Sequence, residues 1–225
     1  MPTVLISGAN RGLGFEFARQ YASDGWRVIA TSRSLDRAGA LRNLGAGVTV
    51  YKLDVADLAA VSALGRALAG ESIDLLIANA GIAGPRGMTA EAIDEAGWAE
   101  TFRVNAMAPL ALAGAFKAQV TRSGERKMVA ITSRLGSIGA NSDGGMYAYR
   151  SSKAALNAAW RSFALDHPEI VAALLHPGWV RTDMGGAGAP LGVGDSIAGM
   201  RRVIAGLGRA ESGGFFGYDG APIPW

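Results

Sequence analysis

The residue pair with the clearest chemical potential is Tyr149 and Lys153, which stand four positions apart in the chain. Residues at this spacing on a helix lie on one face, about one turn from each other. A lysine ammonium beside a phenol favours the phenolate and lowers its pKa from the ordinary value of about 10 toward neutral pH. The pair could therefore exchange a proton with a substrate. The same spacing also arises by chance as an exposed polar pair, so other parts of the sequence must decide.

The elements that would position this pair follow a regular alternation. Short apolar runs rich in β-branched residues predict strands at residues 4–6, 27–31, 49–53, 75–78, 128–132, 171–175 and 215–218. Amphipathic stretches between them predict helices at residues 12–24, 58–68, 95–119, 147–165 and 196–207. Continuous apolar strands separated by helices are typical of a parallel sheet covered on both faces. We predict an α/β protein over residues 1–225: a single-domain Rossmann fold, with a doubly wound sheet of about seven strands.

Composition excludes several other classes of protein. With 49% hydrophobic and 18% charged residues, the chain of 225 residues is expected to fold rather than remain disordered. The net charge of +3, with no basic run longer than two residues, argues against nucleic-acid binding. The absence of cysteine excludes disulfides and thiolate chemistry, and His167 and His176 lack the spacing of metal ligands. No signal peptide or long apolar stretch is present, which predicts a cytoplasmic protein that does not enter membranes.

A glycine-rich turn follows the first predicted strand and precedes the first predicted helix. Glycines allow a backbone to approach a diphosphate, and a helix N-terminus offers free N–H groups to it. The spacing Gly-x3-Gly-x-Gly differs from the usual dinucleotide pattern and lacks the Lys-Ser/Thr ending of a nucleoside triphosphate loop. A turn that merely packs a helix on a strand is the alternative, since the chain has 32 glycines. The candidate residues are Gly8, Asn10, Arg11, Gly12, Leu13 and Gly14.

Asn105 stands inside the predicted helix at residues 95–119, although asparagine is a poor helix former. Pro109 follows four residues later and has no N–H to bond the carbonyl of Asn105. We therefore expect an interruption of the helix at this point, with that carbonyl available to a water molecule. A surface asparagine beside an incidental proline kink is the alternative interpretation.

Several motifs occur in one order along nearly the whole chain, and together they resemble the short-chain dehydrogenase/reductase family. The motifs are Gly8-x3-Gly12-x-Gly14, Asn79-Ala80-Gly81, Asn105, Ser133, Tyr149-x3-Lys153 and Pro177-Gly178. The stretches at residues 147–157, 176–185 and 218–225 resemble a narrower branch, that of the C-factor and sniffer-type carbonyl reductases. Several members of this branch are better known for signalling or stress phenotypes than for a defined substrate.

The resemblance implies a role for each catalytic candidate. Tyr149 would exchange a proton with the substrate oxygen while hydride moves to or from the carbonyl carbon. Lys153 would lower the pKa of the phenol and hydrogen-bond the nicotinamide ribose. Ser133 would hold the substrate oxygen, although a serine at a strand end also commonly bonds a neighbouring backbone group. Asn105 would anchor a water that relays protons to Lys153.

The end of the second predicted strand bears on cofactor choice. Enzymes that use NAD usually carry an acidic residue there to bind the ribose 2′-OH. This chain has Ser32 and Arg33 instead, and a guanidinium matches the geometry of a 2′-phosphate. Arg11 could stack or pair from the other side, whereas Asp36 could bend back to the ribose. We predict NADP(H) as the cofactor.

Other cofactor contacts are implied by the resemblance. Asp54 and Val55 would hold the adenine, and Asp57 is expected only to cap the following helix. The remaining candidates lie along the adenosine ribose and the nicotinamide carboxamide: Asn79, Ala80 and Gly81 at the ribose, and Pro177, Gly178, Val180 and Thr182 at the carboxamide.

The sequence leaves the substrate open. The glycine-rich segment at residues 183–195 suggests a mobile lid with few polar groups, and Trp179 could form an apolar wall, which favours an apolar or aromatic carbonyl or alcohol. Two functions remain: an NADP(H)-dependent oxidoreductase, and a cofactor-binding regulatory or signalling protein that does not depend on turnover. The resemblance also implies a homodimer or homotetramer formed through the predicted helices at residues 95–119 and 147–165.

Overall fold

The computed structural model describes residues 1–225 and contains one parallel sheet of seven strands, in the order β3-β2-β1-β4-β5-β6-β7. The strands are β1 Thr3–Ile6, β2 Arg27–Ser32, β3 Val48–Lys52, β4 Leu75–Ala78, β5 Lys127–Ile131, β6 Val171–His176 and β7 Phe215–Gly217. Strand order reverses between β1 and β4, as in a doubly wound sheet. The predicted fold class is confirmed.

Seven helices cover the two faces of this sheet. They are α1 Gly12–Ser23, α2 Gly39–Arg42, α3 Leu58–Ala67, α4 Glu95–Phe102, α5 Ala108–Thr121, α6 Tyr147–Asp166 and α7 Val193–Gly206. Successive strand residues point to opposite faces, so Val4 and Ile6 join one apolar core while Leu5 joins the other. The first core includes residues of α1 and α7, and the second includes residues of α3, α5 and α6.

The predicted helix at residues 95–119 is interrupted, as expected from Asn105 and Pro109. A π-helical turn, Arg103–Met107, separates α4 from α5, and the N–H of Ala108 donates to the carbonyl of Arg103 five residues before it. A turn of this kind accommodates one additional residue, and it is often found at functional sites. The sequence did not predict α2, which is only one turn long, and α7 begins at Val193 rather than at residue 196.

The last residues of the chain fold back along β7. The N–H of Ile223 donates to the carbonyl of Phe215 at 2.8 Å, and the N–H of Gly139 donates to the carbonyl of Trp225 at 2.8 Å. The segment therefore occupies hydrogen-bonding groups at one edge of the sheet, and it also holds the loop before α6. Among the helices, none combines the length and the apolar character that crossing a bilayer requires.

Candidate active site

The predicted site residues meet at the carboxyl ends of the parallel strands, next to the point where strand order reverses. Three glycines show how closely the segments approach. A Cβ built on Gly8 would lie 3.0 Å from Ala80, and one built on Gly12 would lie 3.8 Å from the side chain of Thr182. A Cβ on Gly81 would lie 3.3 Å from Oδ1 of Asn105. Motifs far apart in sequence therefore converge on one cleft.

Tyr149, Lys153 and Ser133 form the chemical centre of this cleft. Tyr149 and Lys153 lie one turn apart on α6, with Nζ of Lys153 5.9 Å from the centroid of the tyrosine ring. Ser133 lies two residues after the end of β5, and its side chain is close enough to Tyr149 to lower the pKa of the phenol. Lys153 is only 4% exposed, and its Nζ donates to the carbonyl of Ile131 at 2.9 Å. The structure thus brings together the three residues expected to carry proton transfer.

The direction of the tyrosine pKa corrects one expectation from the sequence. Burial raises the pKa of Tyr149, and the neighbouring Ser133 side chain lowers it by a smaller amount. Burial also lowers the pKa of Lys153 to about 8. In the protein without its cofactor, the pKa of Tyr149 therefore does not show the net decrease expected from Lys153. The burial of the phenol raises this pKa by more than the contact with Ser133 lowers it.

Asn105 is fully buried in the π-helical turn, and its side chain bonds the backbone of a neighbouring loop. Oδ1 accepts from the N–H of Ile82 at 2.9 Å, and Nδ2 donates to the carbonyl of Ile82 at 2.9 Å. Nδ2 also donates to the hydroxyl of Ser152 at 3.0 Å, which links the turn to α6. The side chain therefore holds the segment after Gly81 in place. The binding of a relay water by the backbone carbonyl of Asn105 stays a prediction.

The glycine-rich turn is packed so tightly that its third glycine has no space for a side chain. A Cβ on Gly14 would lie 2.3 Å from the carbonyl oxygen of Gly8 and 2.6 Å from Nδ2 of Asn79. Asn79 fixes the turn by donating from Nδ2 to the carbonyls of Ser7 and Gly8 at 3.0 and 3.1 Å. The glycine at position 14 is therefore required for close approach of α1 to the turn.

We expect Gly14→Ala to destabilise the protein by about 1–3 kcal/mol, because the added methyl must displace backbone atoms. Gly114→Ala is the matched control, since Gly114 lies on the exposed side of α5 with nothing within 4 Å of a Cβ. That change should stabilise the protein by about 0.5–1 kcal/mol through helix propensity. Thermal unfolding of both variants tests the contrast, and equal effects would contradict the close packing of the turn.

The first turn of α1 is suited to binding a phosphate group. Arg11 precedes the helix and makes no side-chain cap, and the first turn contains no acidic residue. By contrast, Asp57 and Asp94 cap α3 and α4 through their carboxylates. The N–H groups at the start of a helix have no partner within the helix, so uncapped ones are available to an anion. These features fit a dinucleotide diphosphate, and the cap predicted for Asp57 is confirmed.

The residues expected near the adenosine end are arranged as follows. Arg33 is exposed at the carboxyl end of β2, whereas Ser32 is buried and its hydroxyl donates to the carbonyl of Ser34 at 2.9 Å. Arg11 forms an ion pair with Asp183. Asp54 accepts from the N–H of Ala56 at 3.0 Å in a local turn, next to the buried Val55. Asn10 and Leu13 lie in the glycine turn, both partly buried.

The segment after β6 is more strongly held than its glycine content suggested. Val180 forms a parallel bridge with Leu191, and the N–H of Gly185 donates to the hydroxyl of Thr182 at 3.1 Å. The indole of Trp179 donates to the carbonyl of Gly185 at 2.9 Å. The sequence predicted a mobile lid, and the structure shows a loop closed on itself by these contacts. Pro177 and Gly178 lead into it, and Gly178 has a positive φ of 85°.

Two buried polar residues at the site were not identified as site residues from the sequence. The hydroxyl of Ser7 accepts from the N–H groups of Asn79 and Ala80 at 3.0 and 3.1 Å, and so orients that motif. The side chain of Asn157, on α6, is hydrogen-bonded to Thr132 before Ser133 and to Gly136 after it. For Asn157 the signal was its position one turn after Lys153, whereas nothing in the sequence distinguishes Ser7 from other serines at strand ends.

A dinucleotide-binding sheet with a serine, a tyrosine and a lysine at its switch point defines a class of oxidoreductase. Residues 2–189 match the short chain dehydrogenase family, and the chain belongs to it. Within that family, the chain is 49% identical over 155 residues to the C-signal protein of Myxococcus xanthus, covering 68% of this chain and 93% of the relative.

Solved structures give the same family. The carbonyl reductase Sniffer of D. melanogaster superimposes with a TM-score of 0.94 at 34% identity, covering 100% of both chains. An NADPH-bound carbonyl reductase from chicken fatty liver gives a TM-score of 0.90 at 32% identity, covering 100% of this chain and 99% of that one. The expected resemblance to the C-factor and sniffer-type branch is thereby confirmed.

Proposed function

We propose that the protein is an NADP(H)-dependent oxidoreductase that interconverts a carbonyl compound and an alcohol. The observation that carries this proposal is the arrangement of Ser133, Tyr149 and Lys153 beside a glycine turn whose helix N-terminus is uncapped. A phenol, a hydroxyl and an ammonium group in one cleft can hold a substrate oxygen and exchange its proton. The cofactor, when bound, supplies or accepts the hydride.

Each residue contributes a separate step to this chemistry. Ser133 donates a hydrogen bond to the substrate oxygen, and Tyr149 gives that oxygen its proton during reduction. Lys153 would hold the nicotinamide ribose, and its ammonium lies 5.9 Å from the centroid of the Tyr149 ring. Asn105 holds the π-helical turn against Ile82, and its backbone carbonyl would anchor the relay water.

NADP(H) is the cofactor that the charges support. Arg33 has no ion-pair partner and lies exposed where a ribose 2′-phosphate would be bound, with no acidic side chain at the end of β2. The chicken carbonyl reductase and a short-chain dehydrogenase from Burkholderia multivorans contain NADPH and NADP, respectively. The other predicted cofactor residues, from Gly8 in the glycine turn to Thr182 after β6, would contact the rest of the dinucleotide.

We expect Arg33→Ala to weaken NADPH binding by about 10- to 100-fold, the effect of losing charge-assisted hydrogen bonds worth about 1.5–3 kcal/mol. NADH binding should change by less than about twofold, because NADH has no 2′-phosphate. Arg42→Ala, which removes an exposed arginine of α2, is the control for net charge. Fluorescence titration with both cofactors measures the difference. A wild-type protein that binds NADH more tightly than NADPH would contradict the role of Arg33.

The substrate class that the cleft favours is an apolar or aromatic carbonyl compound. Ile138, Trp179 and Met184 expose 79%, 60% and 48% of their surface on the loops that follow β5 and β6. The test of the proposed function is NADPH oxidation measured with a panel of aldehydes, ketones and quinones. Turnover that prefers bulky apolar members is expected, and cofactor binding without turnover of any member would overturn the proposal.

A second candidate function is supported by the similarity to C-signal, namely a signalling protein whose activity does not depend on turnover. The two candidates differ in whether Tyr149 is required. We also propose a homodimer or homotetramer, because Met107 and Leu110 expose 56% and 38% of their surface on and beside α5.

A further inference from the structure

A buried asparagine on α6 connects the helix that carries Tyr149 and Lys153 to the segment after β5 that carries Ser133. Asn157 follows Lys153 by four residues and Tyr149 by eight, so the three side chains occupy successive turns of one helix face. Asn157 is 2% exposed. None of the chemical steps proposed above uses it.

The amide of Asn157 bonds the chain on both sides of Ser133. Its Oδ1 accepts from the hydroxyl of Thr132 at 2.7 Å, and its Nδ2 donates to the carbonyl of Gly136 at 3.4 Å. Thr132 is also buried, at 2% exposure. One side chain therefore ties the residue before the serine and the residue three positions after it to the helix.

The segment that Asn157 holds is a compact unit. The hydroxyl of Ser133 accepts from the N–H of Leu135 at 3.1 Å, and the N–H of Gly136 donates to the carbonyl of Ser133 at 2.8 Å. Gly136 is in contact with α6, since a Cβ built there would lie 2.7 Å from Cβ of Lys153. A displacement of this turn from the helix would therefore move the serine hydroxyl with it.

We propose that Asn157 is the positioning residue that sets the distance between Ser133 and Tyr149, an inference that rests on the proposed oxidoreductase function. Asn157 touches neither substrate nor cofactor in this role. It acts through Ser133, by keeping the turn at residues 134–136 against α6. A displacement of about 1 Å in a reacting group can reduce turnover by about 100-fold, so this contact has a measurable effect on catalysis.

The test is a double-mutant cycle between Asn157→Leu and Ser133→Ala, measured by kcat for NADPH-dependent carbonyl reduction. We expect Asn157→Leu to reduce kcat by about 10- to 100-fold, with NADPH affinity within about twofold of wild type. If Asn157 acts only through Ser133, the double variant should be no slower than Ser133→Ala alone. Rate losses that multiply in the double variant would overturn the inference, as would an Asn157→Leu variant with wild-type kcat.

Controls separate positioning from a general loss of stability. Gln119→Leu removes another buried amide, which bonds the carbonyl of Gly65 at 2.8 Å between α5 and α3, and it should leave kcat unchanged. Thr132→Val removes the hydroxyl that donates to Asn157, and this variant should have a lower kcat. Thr132→Ser keeps the hydroxyl, and its kcat should remain close to the wild-type value. This pair also decides the question if Asn157→Leu does not fold, because equal kcat in the two threonine variants would overturn the inference.

The wild-type assay distinguishes the two levels of the proposal. A wild-type protein that binds NADPH and turns over no carbonyl substrate overturns the proposed function, and the positioning role of Asn157 with it. Wild-type turnover together with independent effects of Ser133 and Asn157 overturns the positioning role alone.

Discussion

Replacing Tyr149 by phenylalanine should reduce carbonyl turnover by about 100- to 10,000-fold, the range expected when a general acid is removed. The substitution deletes one hydroxyl, which is beside Ser133, and preserves the ring that lies beside Lys153. NADPH binding should be retained, because the glycine turn and Arg33 are unaffected. Steady-state kinetics on the best substrate of the carbonyl panel, with an NADPH titration in parallel, measure both quantities.

Tyr147→Phe is the matched control for this experiment. Tyr147 begins α6 two residues before Tyr149, is 45% exposed, and forms no side-chain hydrogen bond. Its loss should leave kcat within about twofold of the wild-type value, since surface substitutions away from specific contacts usually have small effects. A Tyr149→Phe variant as active as Tyr147→Phe would contradict the proposed acid and favour a function that does not depend on turnover.

Replacing Lys153 by methionine should have opposite effects on stability and activity. Burial lowers the pKa of Lys153 from 10.5 to about 8, which corresponds to a cost of about 3 kcal/mol for keeping the ammonium charged in the folded protein at neutral pH. Methionine removes that cost and loses a hydrogen bond to Ile131 worth about 1 kcal/mol. We expect the variant to be about 2 kcal/mol more stable at pH 7, raising Tm by about 4–8 °C, and to lose turnover by at least about 100-fold.

The dependence on pH identifies the source of this difference. Between pH 8 and 10.5 the unfolded chain binds a proton at Lys153 that the folded protein has released, so wild-type stability increases with pH through this window relative to the variant. Thermal unfolding at pH 7 and pH 9.5 should show the advantage of the variant shrinking. Lys127→Met is the control, because Lys127 begins β5 and its Nζ, unlike that of Lys153, has a carboxylate partner, Glu125, at 3.0 Å. A Lys153→Met variant less stable than wild type at pH 7 would contradict the burial cost.

The fold and the outline of the site could be predicted from sequence because their signals are local. Each strand is a short apolar run, and the turn at Gly8 is recognisable from its glycines and its place between a strand and a helix. The interruption at Asn105 was also predictable, because Pro109 lacks the N–H that a regular helix needs there. These features depend on residues within a few positions of each other.

The contacts between distant residues could not be predicted in the same way. The bonds from Ser7 to the N–H groups of Asn79 and Ala80 join positions 72 and 73 residues apart. The direction of the Tyr149 pKa depends on how far the phenol is removed from water, which only the packed structure specifies. The pairing of Arg11 with Asp183, 172 residues away, was likewise outside what a local pattern indicates.

The π-helical turn at Arg103–Met107 also changes the phase of the helix that it interrupts. One additional residue rotates everything after it by about 100° relative to a continuous α-helix. Before the turn, α4 packs against α6, and after it α5 remains in contact with α6 and also packs against α3 and β4. A single inserted residue thus lets one length of chain gain packing partners midway, and Asn105 stands at the place where they are gained.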